Sequence, residues 1–262
     1  YPLTLEELRI FSFKNGDTRE ISLPAPAGHL IEKAEGFYFL KGRKNLIGER
    51  RKKNQIAKNK WKKALKAVSW LRVLPYIRLI FASGSLALSN TDEESDLDVL
   101  IVAKHGRIWT SRLLIVLLLS LLGVRRTRYD KIAPDKICLN HFITDKSLYI
   151  PRKSIYTAQL YARLVPIFME DKKLLDEFRE ANSWVGEWVK GWPECINVRG
   201  PVPPHPHSAQ SADLRAMGDP QSGHPSKIKI FLEIRNRKIA VPSATMCVIR
   251  ISLKFLHRID KR

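Results

Sequence analysis

The chain has 262 residues, and its 46 lysines and arginines against 26 aspartates and glutamates give a net charge of +20 at pH 7. Hydrophobic residues make up 44% of the sequence, which is enough for a folded core and excludes a chain that is disordered throughout. Three cysteines without close spacing argue against a disulfide framework and a cysteine-only zinc site, and they predict a cytoplasmic protein. The positive charge favours polyanionic partners.

Residues 1–45 predict a small helical or winged-helix-like segment. Thr4 and Glu7 form a capping-box sequence before a short helix, and residues 36–40 have the composition of a strand. A segment that binds DNA and a small cap packed on the next domain both agree with these features. The first eight residues are neither basic nor a long apolar run, so no signal peptide is predicted; the chain begins at Tyr1, as a fragment would.

Residues 46–75 predict one basic linking helix, which Pro75 ends. Residues 41–72 contain 13 basic residues and one acidic residue, Glu49. Two interpretations remain open. The charges are either the solvated face of a helix packed on its domain, or a surface that binds nucleic acid. The apolar residues that share one face of this helix are Ile56, Trp61, Ala64, Leu65, Val68 and Leu71.

The middle of the chain alternates apolar strands and helices. Strands are predicted at residues 76–82, 96–103 and 136–144, with an apolar helix at residues 111–122. The apolar run within this helix is about half as long as the roughly 20 residues of a membrane span. We therefore expect a helix buried in the core and no membrane span.

The last third of the chain changes in composition. Residues 151–192 predict a helical extension with repeated apolar faces. Seven of the 15 prolines lie in residues 193–225, so residues 193–226 predict a flexible linker. Residues 227–262 form a basic tail to which the sequence assigns no role.

Two carboxylates and a glycine turn suggest chemistry. Asp96 and Asp98 are two residues apart at the start of a predicted strand, so their side chains share a face. A cation such as Mg²⁺ would relieve their repulsion, since it takes carboxylate oxygens together with substrate phosphates. Upstream, Gly84 lets a phosphate approach the backbone, and the Ser85 hydroxyl and nearby amides can donate to it. Turn and acids together predict a site for a nucleoside triphosphate and metal.

The order Gly84-Ser85, spacer, Asp96-Leu97-Asp98 and apolar strand resembles the nucleotidyltransferase superfamily with the DNA polymerase β-like fold. The motif covers residues 76–103, within a nucleotidyltransferase domain expected over residues 76–150. The arrangement is similar to that of uncharacterised bacterial proteins with such a domain. The resemblance implies an α+β fold: a small mixed sheet flanked by helices, with a helical N-terminal segment and a helical C-terminal extension.

The resemblance implies transfer of a nucleoside monophosphate from a nucleoside triphosphate to an acceptor that the sequence does not identify. Asp96 and Asp98 would be the catalytic residues and would hold two Mg²⁺ ions. Gly84 and Ser85 would bind the triphosphate. Arg107 or Arg112, just beyond the acidic strand, would either supply positive charge to the phosphates or be ordinary surface residues.

The sequence departs from the family in one respect. Most active members carry a third carboxylate on a later strand, and residues 137–143 contain no acid. The residues that could take this role are Asn140, His141, Asp130, Asp135 and Asp145. The alternative function is therefore a nucleic-acid-binding or regulatory protein whose nucleotidyltransferase-like domain is catalytically degenerate.

Overall fold

In the computed structural model, which describes residues 1–13 and 30–196, the chain has the expected α+β fold. The α-helices are α1 (Leu5–Phe11), α2 (Leu46–Leu71), α3 (Gly84–Ala87), α4 (Ile108–Leu121), α5 (Ile155–Ala162) and α6 (Lys172–Ala181). The strands are β1 (Leu3–Thr4), β2 (Ile31–Ala34), β3 (Phe37–Leu40), β4 (Ile77–Ala82), β5 (Leu97–Ala103), β6 (Ile137–Thr144) and β7 (Val165–Met169). A 3₁₀ helix, Ser183–Glu187, follows α6.

The N-terminal part is a small antiparallel sheet, in the order β1-β3-β2, with helix α1. The predicted capping box is present: the Glu7 amide donates to Thr4 Oγ1 at 3.2 Å, and the Thr4 amide donates to the Glu7 carboxylate at 2.9 Å. Positive φ angles at Glu35 and Gly36 form the two-residue turn between β2 and β3. Buried Arg50 of α2 donates to the carbonyl of Pro2 at 2.6 Å and so ties this part to the helix.

The predicted basic helix is α2, which ends at Leu71, close to the predicted boundary. Its apolar stripe packs into a core against one face of the larger sheet. The opposite face of α2 carries most of its lysines and is exposed.

The larger sheet has the order β6-β5-β4-β7. Strand β4 runs antiparallel to both β5 and β7, whereas β5 and β6 are parallel. Because parallel neighbours need a crossover, α4 connects β5 to β6 across the face of the sheet that α2 also covers. The other face is covered by α5, α6 and the 3₁₀ helix, which form a second core. Side chains of β5 alternate between the two cores, with Val99 in the first and Leu100 in the second.

The predicted helical extension contains a strand. Residues 155–192 include two α-helices and the 3₁₀ helix, but Val165–Met169 form β7 and pair with β4. A short apolar run fits a helix and a strand equally well, so the free edge of β4 decides its structure.

Helix α4 is buried on one face only, which corrects the prediction of a helix buried in the core. Ile115 and Leu119 are fully buried, whereas Trp109 is 77% exposed and Leu113 is 65% exposed. Among the residues that the structure describes, none of the helices is both long and apolar enough to cross a membrane.

The predicted linker begins within the described part of the chain. The Cys195 amide donates to the carbonyl of Gly191 at 2.8 Å, and Ile196 is fully buried in the second core. The rest of the linker and the basic tail at residues 227–262 lie outside the described residues.

Candidate metal centre

The two aspartates lie where β5 begins. Asp98 is the second residue of β5, and Asp96 comes directly before the strand. Leu97 and Val99 point into the first core and are each 1% exposed. Because side chains alternate along a strand, Asp96 and Asp98 both point to the other side of the sheet. The sheet thus presents two carboxylates on one face.

A third side chain reaches these carboxylates from β6. In the parallel pairing of β5 and β6, Cys138 is the partner of Asp98. One ligand atom from each of Asp96, Asp98 and Cys138 lies within 4.8 Å of the other two. The strand register therefore supplies a sulfur atom beside the two carboxylates.

Gly84 forms another wall of the site. It begins α3 with a φ of +66°, and a Cβ atom built on it would lie only 2.4 Å from Asp98 Oδ2. The neighbouring Ser83 amide donates to the Asp98 carbonyl at 3.0 Å. Both contacts place the turn after β4 directly against Asp98, and any residue with a Cβ would displace that carboxylate.

Arg126 supplies positive charge at the site. Its guanidinium donates a hydrogen bond to Asp96 Oδ2 and forms an ion pair with it. The chain around Arg126 runs along the outer side of β6, where the Arg126 amide donates to the carbonyl of Ile137 at 2.9 Å. This backbone contact holds Arg126 next to the residue that precedes Cys138.

The surroundings disfavour negative charge on this face. Burial and the charge of Asp96 raise the pKa of Asp98, against the opposing effects of the Cys138 hydrogen bond and the Arg126 charge. Burial, followed by the charge of Asp98, raises the pKa of the Cys138 thiol to about 12. Burial is the largest cause of both shifts, and the neighbouring negative charges, which a bound cation would neutralise, add to it.

Of the other residues predicted to bind nucleotide, one lies at the site and two lie away from it. Ser85 follows Gly84 and is partly buried next to the site. Arg107 lies beyond the far end of β5, over the ring of Tyr76 at 5.5 Å, and Arg112 lies over the ring of Phe142 at 5.2 Å. A strand rises about 3.3 Å per residue, so the end of β5 is roughly 16 Å from Asp98. The structure does not bring Arg107 or Arg112 to the two aspartates.

The residues considered for a third carboxylate have other partners. Asp130 binds the Thr127 amide and Lys136, Asp135 binds Lys60 and Lys63, and Asp145 binds the His105 amide.

The two residues considered on β6 itself lie further along the strand. A shift in register after Val99 pairs His141 with Leu100, and His141 Nδ1 lies 3.0 Å from the hydroxyl of Tyr161. Asn140 is exposed. The residue of β6 that lies beside the two aspartates is Cys138, which the sequence motif does not indicate.

The residues of this site fit a divalent cation. The donor set combines two carboxylates with a thiol, and the absence of a side chain on Gly84 makes room for the Asp98 carboxylate. Asp96 already attracts the positive charge of Arg126. Asp96, Asp98 and Cys138 would hold the metal.

Comparisons with known proteins add little to this geometry. No family model and no curated protein matches the chain. A solved structure described as a toxin–antitoxin crystal structure with AMP-PNP aligns with 48% of this chain and 84% of its own, at 16% sequence identity. The TM-score is 0.26, which does not establish a shared fold.

Proposed function

We propose that this protein is a metal-dependent nucleotidyltransferase that moves a nucleoside monophosphate from a nucleoside triphosphate to an acceptor. The observation that carries the proposal is the placement of Asp96 and Asp98 on one face of β5, directly against the Gly84 turn. Two carboxylates beside a glycine turn suit a metal-bound triphosphate. The metal neutralises both carboxylates, and the phosphates can approach the backbone at the glycine.

Each residue has a specific part in this proposal. Asp96 and Asp98 hold the divalent ion, which the two carboxylates by themselves would make Mg²⁺, and Gly84 leaves room for the Asp98 carboxylate. Arg126, already paired with Asp96, places a fixed positive charge where phosphate oxygens would lie. A bound ion would stabilise the charge that develops on the transferred phosphate and lower the pKa of the attacking hydroxyl. The protein's own contribution is positioning and charge stabilisation.

The first experiment measures binding of each nucleoside triphosphate with Mg²⁺, Mn²⁺ or Zn²⁺ in turn. We expect metal-dependent binding that is lost in Asp96→Asn and Asp98→Asn. The matched control is Asp92→Asn on the preceding loop, whose carboxylate is 64% exposed and pairs with Lys53. Transfer itself is measured as release of pyrophosphate with candidate acceptors. Unchanged binding in both site variants, with every metal, would refute the proposal.

A second candidate function, nucleic-acid binding, is favoured by the exposed face of α2. Helix α2 contains no acidic residue after Glu49. Lys53 and Lys63 form ion pairs with acids, and buried Lys60 is also paired. The remaining lysines of the helix are exposed, with no ion pair among the described residues: Lys52, Lys58, Lys62 and Lys66. This face is the part of α2 that suits a phosphate backbone.

The test for this candidate is the salt dependence of duplex binding. Replacing the four exposed lysines with glutamine should weaken binding and reduce the slope of log K against log salt by about 3–4, since each lost phosphate contact removes about 0.9. The control removes four exposed lysines elsewhere, namely Lys146, Lys153, Lys172 and Lys173. Equal effects of the two sets would show that α2 is not a specific surface.

A further inference from the structure

We propose that Cys138 is a metal ligand and that the Asp96–Asp98–Cys138 site takes a thiophilic divalent cation of the zinc class. The inference rests on the proposed function, because it concerns the same metal site. The two carboxylates alone would suggest Mg²⁺. With the thiol included, the site instead suits an ion that binds both sulfur and oxygen.

The position of Cys138 is set by strand pairing. Asp98 and Cys138 are partners in the register of β5 and β6, so their side chains leave the sheet side by side. The Cys138 sulfur is one of three ligand atoms within 4.8 Å of each other, the other two being carboxylate oxygens of Asp96 and Asp98. Metal–ligand bonds of about 2.0–2.3 Å place ligand atoms some 3–4 Å apart, a change that small side-chain rotations can make.

The surroundings of the three ligands support a cation at this point. Gly84 contacts Asp98 on the side away from β6, and the contact is too close for a side chain at position 84. Arg126 contributes a positive charge to Asp96 but reaches neither other ligand through an ion pair in the described structure. Because the charge of Arg126 also acts on Asp98, one guanidinium faces two carboxylates and a thiol.

The chemistry of the donor set selects the ion. Mg²⁺ binds oxygen ligands in a near-octahedral arrangement and keeps several of its waters, so a cysteine sulfur adds little to its affinity. Zn²⁺ and Co²⁺ bind cysteine sulfur, imidazole and carboxylate oxygen, and three protein ligands leave a position for water or substrate. When the metal–sulfur bond forms, the thiol proton passes to solvent, so binding releases one proton.

Cys195, the other cysteine in the described part of the chain, is a packing residue. Cys195 lies against the apolar second core, and no cluster of metal-ligating groups includes it among the described residues. Cys138 instead lies beside two carboxylates, on the face of the sheet opposite the first core. Its environment is that of a ligand.

Co²⁺ alone, without nucleotide, is the probe that tests this inference. The protein should bind Co²⁺ with a sulfur-to-cobalt charge-transfer band in the near ultraviolet, and Zn²⁺ should displace it, whereas Mg²⁺ in large excess should not. In Cys138→Ser the band should vanish and Co²⁺ affinity should fall. Loss of a residue that only hydrogen-bonds to a metal ligand lowers metal affinity by about 10- to 100-fold, and loss of the ligand itself should cost at least as much. Cys195→Ser and Cys247→Ser are the controls and should keep the band.

A second variant, which should change the metal preference without abolishing metal binding, keeps the test independent of folding defects. Cys138→Asp restores an all-oxygen site and should shift preference from Co²⁺ towards Mg²⁺. A wild-type protein that binds Co²⁺ without the band, or a band that persists in Cys138→Ser, would overturn the inference. That result would leave the proposed function standing if nucleotide binding still requires Asp96 and Asp98. Loss of that requirement would instead refute the function.

Discussion

A Cβ atom on Gly84 would lie 2.4 Å from Asp98 Oδ2, so the two residues are in direct contact across the turn after β4. Gly84 also has a φ of +66°, in the left-handed region that residues with a side chain rarely adopt. Glycine is therefore required here for two separate reasons, the backbone conformation and the space that Asp98 occupies. The first affects stability and the second affects the site.

Gly84→Ala should separate these effects when it is compared with Gly123→Ala. Gly123 has a φ of +68°, and a Cβ atom there would meet nothing within 4 Å, so alanine costs only the backbone term, about 1–2 kcal/mol. Gly84→Ala should lose at least as much stability and also lose metal-dependent nucleotide binding, by about tenfold or more. Urea denaturation and nucleotide titration measure the two effects. Equal nucleotide affinity in both variants would mean that Asp98 tolerates the added atom.

Lys60 of α2 connects the two loops that lead into the site. Its side chain is 3% exposed, and its ammonium group donates to the carbonyls of Glu93 at 2.9 Å and Ser95 at 2.6 Å, and to Asp135 Oδ1 at 3.0 Å. Burial would raise the pKa of Asp135, but the hydrogen bonds from Lys63 and Lys60 hold it below its usual value. One buried lysine thus fixes the residue before Asp96 and the loop before β6.

Lys60→Met should lower the free energy of unfolding by about 3 kcal/mol, because it leaves buried carbonyls and a carboxylate short of a donor. Lys63→Met is the matched control. Lys63 binds the same carboxylate but is 57% exposed, so its loss should cost less than about 1 kcal/mol. Chemical denaturation measures both values. A larger loss in Lys63→Met than in Lys60→Met would contradict the assignment.

His141 should make stability depend on pH. Burial lowers the pKa of His141 below its ordinary value of 6.5, and the group next to it is the Tyr161 hydroxyl, whose own pKa burial raises. The unfolded chain therefore binds a proton more readily than the folded chain. The contribution of His141 is complete above pH 6.5 and is lost as the pH falls through the lower, folded pKa.

Between wild type and His141→Gln, the difference in unfolding free energy should consequently shrink as the pH is lowered from 7.5 to 5. One proton sets an upper limit of about 1.4 kcal/mol per pH unit, and the half-buried ring stays below it. Denaturation at a series of pH values measures the difference. A gap that widens towards low pH would show that the folded protein prefers the charged ring.

Asn182 is a fully buried hub of the second core. Its Oδ1 accepts from the Ile150 amide at 2.9 Å, and its Nδ2 donates to the carbonyls of Leu148 and Phe178, each at 2.9 Å. Asn182→Leu should lower the free energy of unfolding by about 2–4 kcal/mol, since several buried backbone groups lose their partner. Asn59→Leu on the exposed face of α2 should change it by less than about 0.5 kcal/mol. Similar losses in the two variants would contradict the role of Asn182.

Much of the secondary structure follows from local patterns. The capping box, the long basic helix and the apolar strands each have a periodic or positional signature that does not depend on distant residues. Strand β7 has no such signature, because its five residues suit a helix equally well and only the edge of β4 decides their structure. The exposed face of α4 is similar, since an all-apolar run does not show which side meets the sheet.

The candidate site divides in the same way. Asp96, Asp98, Gly84 and Ser85 lie where two consecutive strands, β4 and β5, are connected, and the antiparallel pairing of these strands brings them together. Cys138 and Arg126 reach the site from outside that motif, through the register of β6 and the segment along its outer side. Sequence alone does not determine register, because the alternation of apolar residues along β6 is interrupted by Asn140 and His141, and the pairing shifts there.

By itself, the sequence determined the acidic pair, the turn that faces it and the concentration of positive charge in one helix, because these depend on residues near one another in the chain. Only the tertiary structure decided which lysines of α2 are buried or paired and that Arg126, not Arg107 or Arg112, meets Asp96. It also decided that a thiol stands beside the carboxylates. The physical reason is that pairing of distant strands and burial of side chains are properties of packing, which local sequence does not contain.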